Sequence, residues 1–421
     1  MAWSFQSMPF LPSEPYKILP FGQGKSYGDS CLNDGGILLE TRHLNRFISF
    51  DRKTGVLRCE AGVLLKDILA LTVPSGWFLP VVPGTELISL GGAVANDIHG
   101  KNHHEMGTIG RHILGLELLR SDQSRMYCSP KSNPDLFNAT IGGLGLTGLI
   151  TFIDIQLFPG GDQISTETIR FNQLEEFFEI SDDSAQRYQY TVAWVDCSSH
   201  FGHLGRGVFF RGTHLRNPSE KINSDYKIRN LVPGVPEIFP GVFLNHLTVN
   251  LFNLAYFHKH KTSKKQTNQD YKSFFFPLDG IKNWNRIYGR KGLRQYQFVL
   301  PKEKKDCIRK IFGMIGRSGL GSFLAVFKEF GDLKSPGILS FPGPGYTLAL
   351  DFPAGNLQTL KLFAQLDQMI AKNGGRLYPA KDSHMSPEMF KACYPEYKNF
   401  RKFIDPAFSS DFSKRVNLIE S

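Results

Sequence analysis

Three glycine-rich stretches fall between Gly22 and Gly148, each where a short apolar run ends. The first is Gly22-Gln23-Gly24-Lys25-Ser26-Tyr27-Gly28-Asp29. The second is Pro83-Gly84-Thr85, followed by Leu90-Gly91-Gly92-Ala93-Val94-Ala95-Asn96-Asp97-Ile98-His99-Gly100-Lys101. The third is Gly142-Gly143-Leu144-Gly145-Leu146-Thr147-Gly148. Without a Cβ, glycine lets backbone N–H groups converge on an anion. None of the three is a Walker loop, and no GxGxxG opens a helix after a strand. Each has a plainer reading alone: a loop, a tightly packed helix start, a turn. Together they suit one large multi-phosphate cofactor held mostly by backbone and by a helix N-terminus.

The rest of the chain narrows the setting. At 421 residues it is long enough for two or three folding units. Basic residues exceed acidic ones, 49 to 39, a net charge of +10 that favours anionic partners without naming one. The charge is dispersed and no binding motif is present, so nucleic acid is not expected. The six cysteines are scattered with no CxxC pair, which argues against a zinc knuckle or redox motif, and no metal is expected. The opening MAWSFQSMPFLPSEPYK has no secretory pattern, and no apolar run is long enough to span a bilayer. The expectation is a soluble cytoplasmic chain.

Short strands are expected at 36–40, 55–61 and 116–120, a helix at 63–76, and a long β-branched strand at 147–158. Pro159-Gly160-Gly161-Asp162 closes that strand and marks a boundary. Beyond it, a helix near 172–181, strands at 293–301 and 346–353, and helices at 303–318 and 356–373 read as α+β. Residues 225–275 show no strand pattern.

The order GxGKSYGD, PGT…GGAVANDIHGKNHH and GGLGLTGLI resembles the PCMH-type FAD-binding domain of the vanillyl-alcohol-oxidase flavoproteins. More narrowly, DIHGKNHH (97–104), RQYQFVLP (294–301), VFKEFG (326–331) and GRLYPAKDS (375–383) resemble the decaprenylphosphoryl-β-D-ribose 2-oxidase family. The resemblance implies a discontinuous FAD-binding domain of two α/β subdomains, residues 1–162 and 376–421. A substrate-binding cap with an antiparallel sheet, 163–375, would be inserted between them. It places Gly24, Lys25, Ser26, Tyr27, Gly28, Pro83, Gly84, Thr85, Gly92, Asn96, His99, Gly145, Ile150 and Tyr378 around FAD. Covalent relatives have histidine where this chain has Lys25, so the FAD is expected to be non-covalent. The chain departs from the family in a short segment ahead of the first glycine loop, and in Ala349 where some relatives carry cysteine.

Oxidising an alcohol needs a hydride acceptor and a proton acceptor, and a cation beside the reduced flavin stabilises its charge. The resemblance makes Lys381 that cation, with His99 and Tyr27 as candidates for proton handling. Lys101, Lys328, Gln295 and Gln297 match its substrate pocket; the two glutamines share one strand face. Trp194 and Tyr288 read equally as pocket walls or as core. Phe239 to Gln269 lacks acidic residues, and Phe243, Leu247, Leu251, Leu254 and Tyr256 or Phe257 precede the basic HKHKTSKK. A membrane-surface contact or a lid over the site would each explain it.

The implied activity is oxidation of the C2 hydroxyl of a polyprenyl-phosphate-linked pentose to a keto sugar, in cell-wall epimerisation. A companion NAD(P)H-dependent short-chain reductase would complete it, at the inner face of the plasma membrane. Oxidation of a soluble sugar, alditol or aldonolactone is the alternative, and an inactive interaction subunit the third reading.

Overall fold

The computed structural model describes residues 4, 6–7, 11–12, 15–198, 204–215, 235, 246–260, 263–320, 322 and 324–419. Its N-terminal part begins with a parallel pair, Ile18–Phe21 against Ile37–Glu40, and the first glycine loop connects the two strands. A five-stranded antiparallel sheet follows, in the order Phe47–Asp51, Val56–Glu60, Leu149–Gln156, Ile113–Leu119, Arg125–Cys128. Alternate residues such as Leu57, Cys59, Leu116, Leu118, Ile153 and Ile155 bury against Ile68, Leu69, Leu90 and Val94 of the helices Leu65–Thr72 and Leu90–Ala95.

An eight-stranded, wholly antiparallel sheet dominates the remainder. Its order is Ser263–Asp270, Gln163–Phe171, Gly207–His214, Tyr190–Val195, Ala325–Phe330, Gly345–Pro353, Leu293–Leu300, Arg376–Leu377. One face packs on the helices Leu174–Ala185, Lys305–Arg317 and Leu357–Lys372, joining Phe177, Phe209, Phe298, Phe312, Phe327, Tyr346 and Phe363 in one core. The opposite face is where the polar residues of interest lie.

The tail joins both parts. Arg376–Leu377 extends the large sheet, and Met385, Met389, Phe390 and Phe412 enter its core. Ile18 of the N-terminal strand donates to the Ala407 carbonyl at 2.8 Å and accepts from Ser409 N–H at 3.0 Å. The strand Ser263–Asp270 lies inside the segment expected to hold none. Its sequence, SKKQTNQD, has no apolar alternation because it is an outer strand of the sheet, where polar residues are tolerated and discourage further pairing. Phe239 and Phe243 of the basic-apolar segment lie outside the described residues; 246–259 is a helix. No helix among the described residues is long and apolar enough to cross a membrane.

Candidate active site

The strand Gly345–Pro353 runs between Leu293–Leu300 and Ala325–Phe330, and register fixes what meets across them. Asp351 is opposite Gln295, Ala349 lies between Gln297 and Val326, Thr347 is opposite Lys328, and Val326 is opposite Trp194. Because side chains alternate along a strand, these eight residues share one face, while Tyr296, Phe298, Phe327, Leu348 and Leu350 turn into the core behind it.

Above that face the tail folds back. Tyr378 N–H donates to the Gln297 carbonyl at 3.0 Å, Lys381 N–H to Tyr378 at 3.0 Å, and Tyr27 N–H to Ala380 at 2.9 Å. The first glycine loop is thereby held against the AKDS segment. A Cβ at Gly28 would lie 1.5 Å from the Asp382 carbonyl oxygen, so this glycine serves the close approach of two loops. Arg415 ties the junction, its Nη2 2.6 Å from Asp29 and 2.8 Å from Asp382.

Lys381 is half-buried, with Nζ over the Tyr27 ring. Asp351 faces it; Gln295 Nε2 donates to Asp351 Oδ1, and the Tyr288 hydroxyl hydrogen-bonds the same carboxylate. Burial pushes the Asp351 carboxyl up and the Lys381 ammonium down, and each charge partly offsets that shift in the other. Burial, then the Asp351 charge, raises both Tyr27 and Tyr288, so both stay protonated phenols near neutrality.

A second group adjoins the first. Lys328 Nζ lies 3.0 Å from His99 Nδ1 and 3.0 Å from the Gly100 carbonyl, and Gln297 Nε2 is 3.1 Å from His99 Nε2. Phe330 packs against the His99 ring with centroids 4.8 Å apart. Burial, then Lys328, His103 and Lys381, holds the His99 pKa well below the ordinary histidine range. Burial lowers Lys328 to about 7, assisted by Lys101 and Lys381. Lys101 is also lowered by burial to about 7; it donates to the Phe274 carbonyl and sits over the Phe274 ring at 4.3 Å. Trp194 is nearly covered, its ring 4.7 Å from that of Tyr256 on the helix His246–Lys259.

The glycine stretches fit a phosphate-bearing cofactor. Among the described residues, the backbone N–H groups of Gly24, Lys25, Gly84 and Thr85 donate to no protein acceptor. A Cβ at Gly84 would meet nothing within 4 Å, and one at Gly92 only Ser89 Oγ, so that space is open to a ligand. Gly91 differs: its Cβ would lie 2.9 Å from Ala61, so it serves packing. Pro83 and Ser26 flank the open amides, Gly145 faces Leu19 and Pro20, and Ile150 is buried in the adjoining strand. Asn96 Nδ2 donates to the Gly92 carbonyl at 2.9 Å while its own carbonyl accepts from the Tyr378 hydroxyl at 3.0 Å. These residues could hold FAD between the glycine loops and the large sheet.

Asp351 and Thr347 belong to this site and were not singled out from sequence; the alternation in Tyr346–Pro353 that aligns them with Gln295 and Gln297 was the available signal. Asp97 is another omission. It is fully buried at φ 41°, and Ser335 and Ser340 both donate to its Oδ2, linking the second glycine stretch to the segment after the strand Ala325–Phe330.

The family described as "FAD binding domain" matches residues 8–129. The decaprenylphosphoryl-β-D-ribose oxidase of Mycolicibacterium smegmatis is 37% identical, over 96% of this chain and 89% of its own length. An uncharacterised Streptomyces coelicolor protein is 30% identical, over 85% of this chain and its own full length. Mouse L-gulonolactone oxidase is 26% identical over 41% of this chain and 39% of its own. These likenesses establish that the chain is an FAD-dependent oxidoreductase belonging to the decaprenylphosphoryl-β-D-ribose oxidase family.

Proposed function

We propose that the chain oxidises the C2 hydroxyl of a polyprenyl-phosphate-linked pentose to a keto sugar. The observation that carries this is the gathering of three half-buried lysines, Lys101, Lys328 and Lys381, around one face of the sheet. Drawing three ammonium groups partly out of water and close together is costly unless an anion joins them. A sugar phosphate beside Lys101 and Lys328 and the reduced cofactor beside Lys381 would supply that charge. Gln295 and Gln297 offer the hydrogen bonds a sugar requires. Trp194, the part-exposed Val326 and Ala349 form an apolar floor leading toward the helix His246–Lys259. Bound FAD supplies the hydride acceptor, and Lys25 in place of histidine leaves it dissociable.

That helix exposes Leu251, Phe252 and Leu254 and ends in His258 and Lys259. It is suited to resting on an anionic bilayer, at the cytoplasmic face of the plasma membrane where a lipid-linked substrate would be reached. A keto sugar left by this reaction would be handed to an NAD(P)H-dependent short-chain reductase.

The test is anaerobic reduction of the bound flavin, followed by visible absorption. A polyprenyl-phosphoryl pentose is expected to bleach the flavin when the free pentose does not. Bleaching by a free sugar, alditol or aldonolactone alone would instead make it an oxidase of soluble substrates. Acid precipitation should release the flavin into the supernatant; retention on the protein would refute dissociable binding.

A further inference from the structure

Removing hydride from an alcohol carbon requires a base for the hydroxyl proton, and the groups around the large sheet differ sharply in whether they can accept one. Both ring nitrogens of His99 are already engaged. Lys328 Nζ lies 3.0 Å from Nδ1. The Gln297 amide lies 3.1 Å from Nε2. Tyr27 and Tyr288 stay protonated phenols near neutrality and so are no base for the alcohol proton. Lys101 is engaged by the Phe274 carbonyl, and Lys381 lies between Tyr27 and Asp351.

Asp351 is the exception. Its carboxylate is 2% exposed, on the same sheet face as Gln295, Gln297 and Lys328, and it faces Lys381. Every polar group directed at it donates: Gln295 Nε2, the Tyr288 hydroxyl, the Lys381 ammonium. Those donors keep it ionised, and burial makes it a better base than an exposed aspartate. Its backbone is fixed too, Asp351 N–H donating to Ser322 Oγ at 3.1 Å.

We propose that Asp351 is the catalytic base. Its carboxylate oxygen takes the hydroxyl proton of the substrate alcohol as the O–H bond breaks. The C–H electron pair and its hydrogen leave as hydride to the bound flavin, and the carbon–oxygen bond becomes a carbonyl. Asp351 releases its proton to solvent once the ketone departs. Lys381 holds the carboxylate ionised beforehand. The inference rests on the proposed alcohol oxidation but not on which alcohol is used.

Asp351→Asn keeps the shape and one accepting oxygen but removes the charge and the ability to take a proton. It is expected to slow anaerobic flavin reduction by about 100-fold or more, with a smaller change in substrate affinity and loss of the acid limb of the pH profile. A second readout needs no turnover. In the cofactor-free protein, infrared difference spectra across a pH titration should show a carboxylic-acid C=O band appearing above the ordinary aspartate range, absent from D351N. Asp351→Glu, which retains a base, should reduce flavin faster than D351N, with a displaced acid limb. Near-wild-type reduction by D351N, or an acid limb that survives in it, would overturn the proposal and leave Asp351 as a counter-ion. So would a D351E no faster than D351N, or a titration without the band. If the lipid-linked pentose fails to reduce the wild type, the proposed substrate falls; the Asp351 experiments are then run with whichever sugar does reduce it.

Discussion

The Lys381 ammonium lies 3.9 Å from the centre of the Tyr27 ring, joining a tail residue to the first glycine loop across most of the chain's length. The contact has a steric partner in Gly28, where the Asp382 carbonyl leaves no room for a side chain. It has an electrostatic partner in Asp351, from the middle of the large sheet. Three segments far apart in sequence are therefore needed to define one cation, and loosening any of them displaces it.

Lys381→Ala is expected to fold yet reduce its flavin about 100-fold more slowly or worse. Its stability should also depend on pH in a specific way. Without Lys381 the buried Asp351 carboxyl rises further above its unfolded value, so the folded variant holds that proton more tightly than the unfolded chain does. Stability relative to wild type is then lost as pH rises through about 6, where wild-type Asp351 gives up its proton, by about 1.4 kcal/mol per unit of added shift. Thermal melts at pH 5 and pH 8 measure this. The gap should widen at pH 8 and close in the double variant K381A/D351N.

Lys328 gives a second pH dependence, this one in binding. Its ammonium is lowered to about 7, chiefly by burial, so the charge offered to an anionic substrate fades as pH rises through neutrality. Affinity for a sugar phosphate should weaken about fivefold or more between pH 6 and 8. Lys328→Met should bind weakly with a flat profile. It should also release His99 Nδ1, so the imidazole pKa, followed by NMR, moves upward.

The architecture was far more legible in the sequence than the chemistry. The strand Gly345–Pro353 was recognisable from its β-branched and aromatic run, and Leu357–Lys372 from its helical spacing with Asn356 ahead of it, which caps it by accepting from Gln358 N–H. Ser263–Asp270 was not, since its pairing depends on the neighbouring strand and not on its own apolar pattern. Lys101, Lys328 and Lys381 could be picked out by motif, but not the burial that moves their pKa values, which exists only once the strands and tail enclose them. Asp351 is the clearest case. In TLALDFP it looks like the end of a strand, and only the fold of the tail brings an ammonium opposite it.

Arg415 should act as a clamp on the cofactor loop. It bridges Asp29, the last residue of the first glycine stretch, and Asp382, next to Lys381, while donating to the Met385 carbonyl at 2.6 Å. Arg415→Met leaves two carboxylates without their shared cation. A loss of about 3 kcal/mol is expected in urea unfolding, together with faster FAD release seen as recovered flavin fluorescence. Gly28→Ala should release FAD as well, through its clash with Asp382 and not through charge. Salt should therefore lessen the difference between R415M and wild type but leave G28A unchanged.

The exposed apolar side of the helix His246–Lys259 yields the last prediction. Val249, Asn253 and Phe257 face inward; Asn253 Nδ2 donates to Asp196 Oδ1 at 2.9 Å and anchors the helix to the sheet. Leu251, Phe252 and Leu254 are left in solvent, with Leu251 57% exposed. Burying a leucine or phenylalanine side chain fully yields about 1.5–3 kcal/mol, so even partial insertion of three gives useful affinity for a bilayer. Replacing all three with serine should reduce co-sedimentation with anionic vesicles by at least about tenfold. Thermal stability should change little, because the anchoring side of the helix is untouched. Reduction by a short-chain, water-soluble analogue should also stay near the wild-type rate, while reduction by a vesicle-borne substrate falls. Equal vesicle binding by variant and wild type would show that this face serves something other than a membrane.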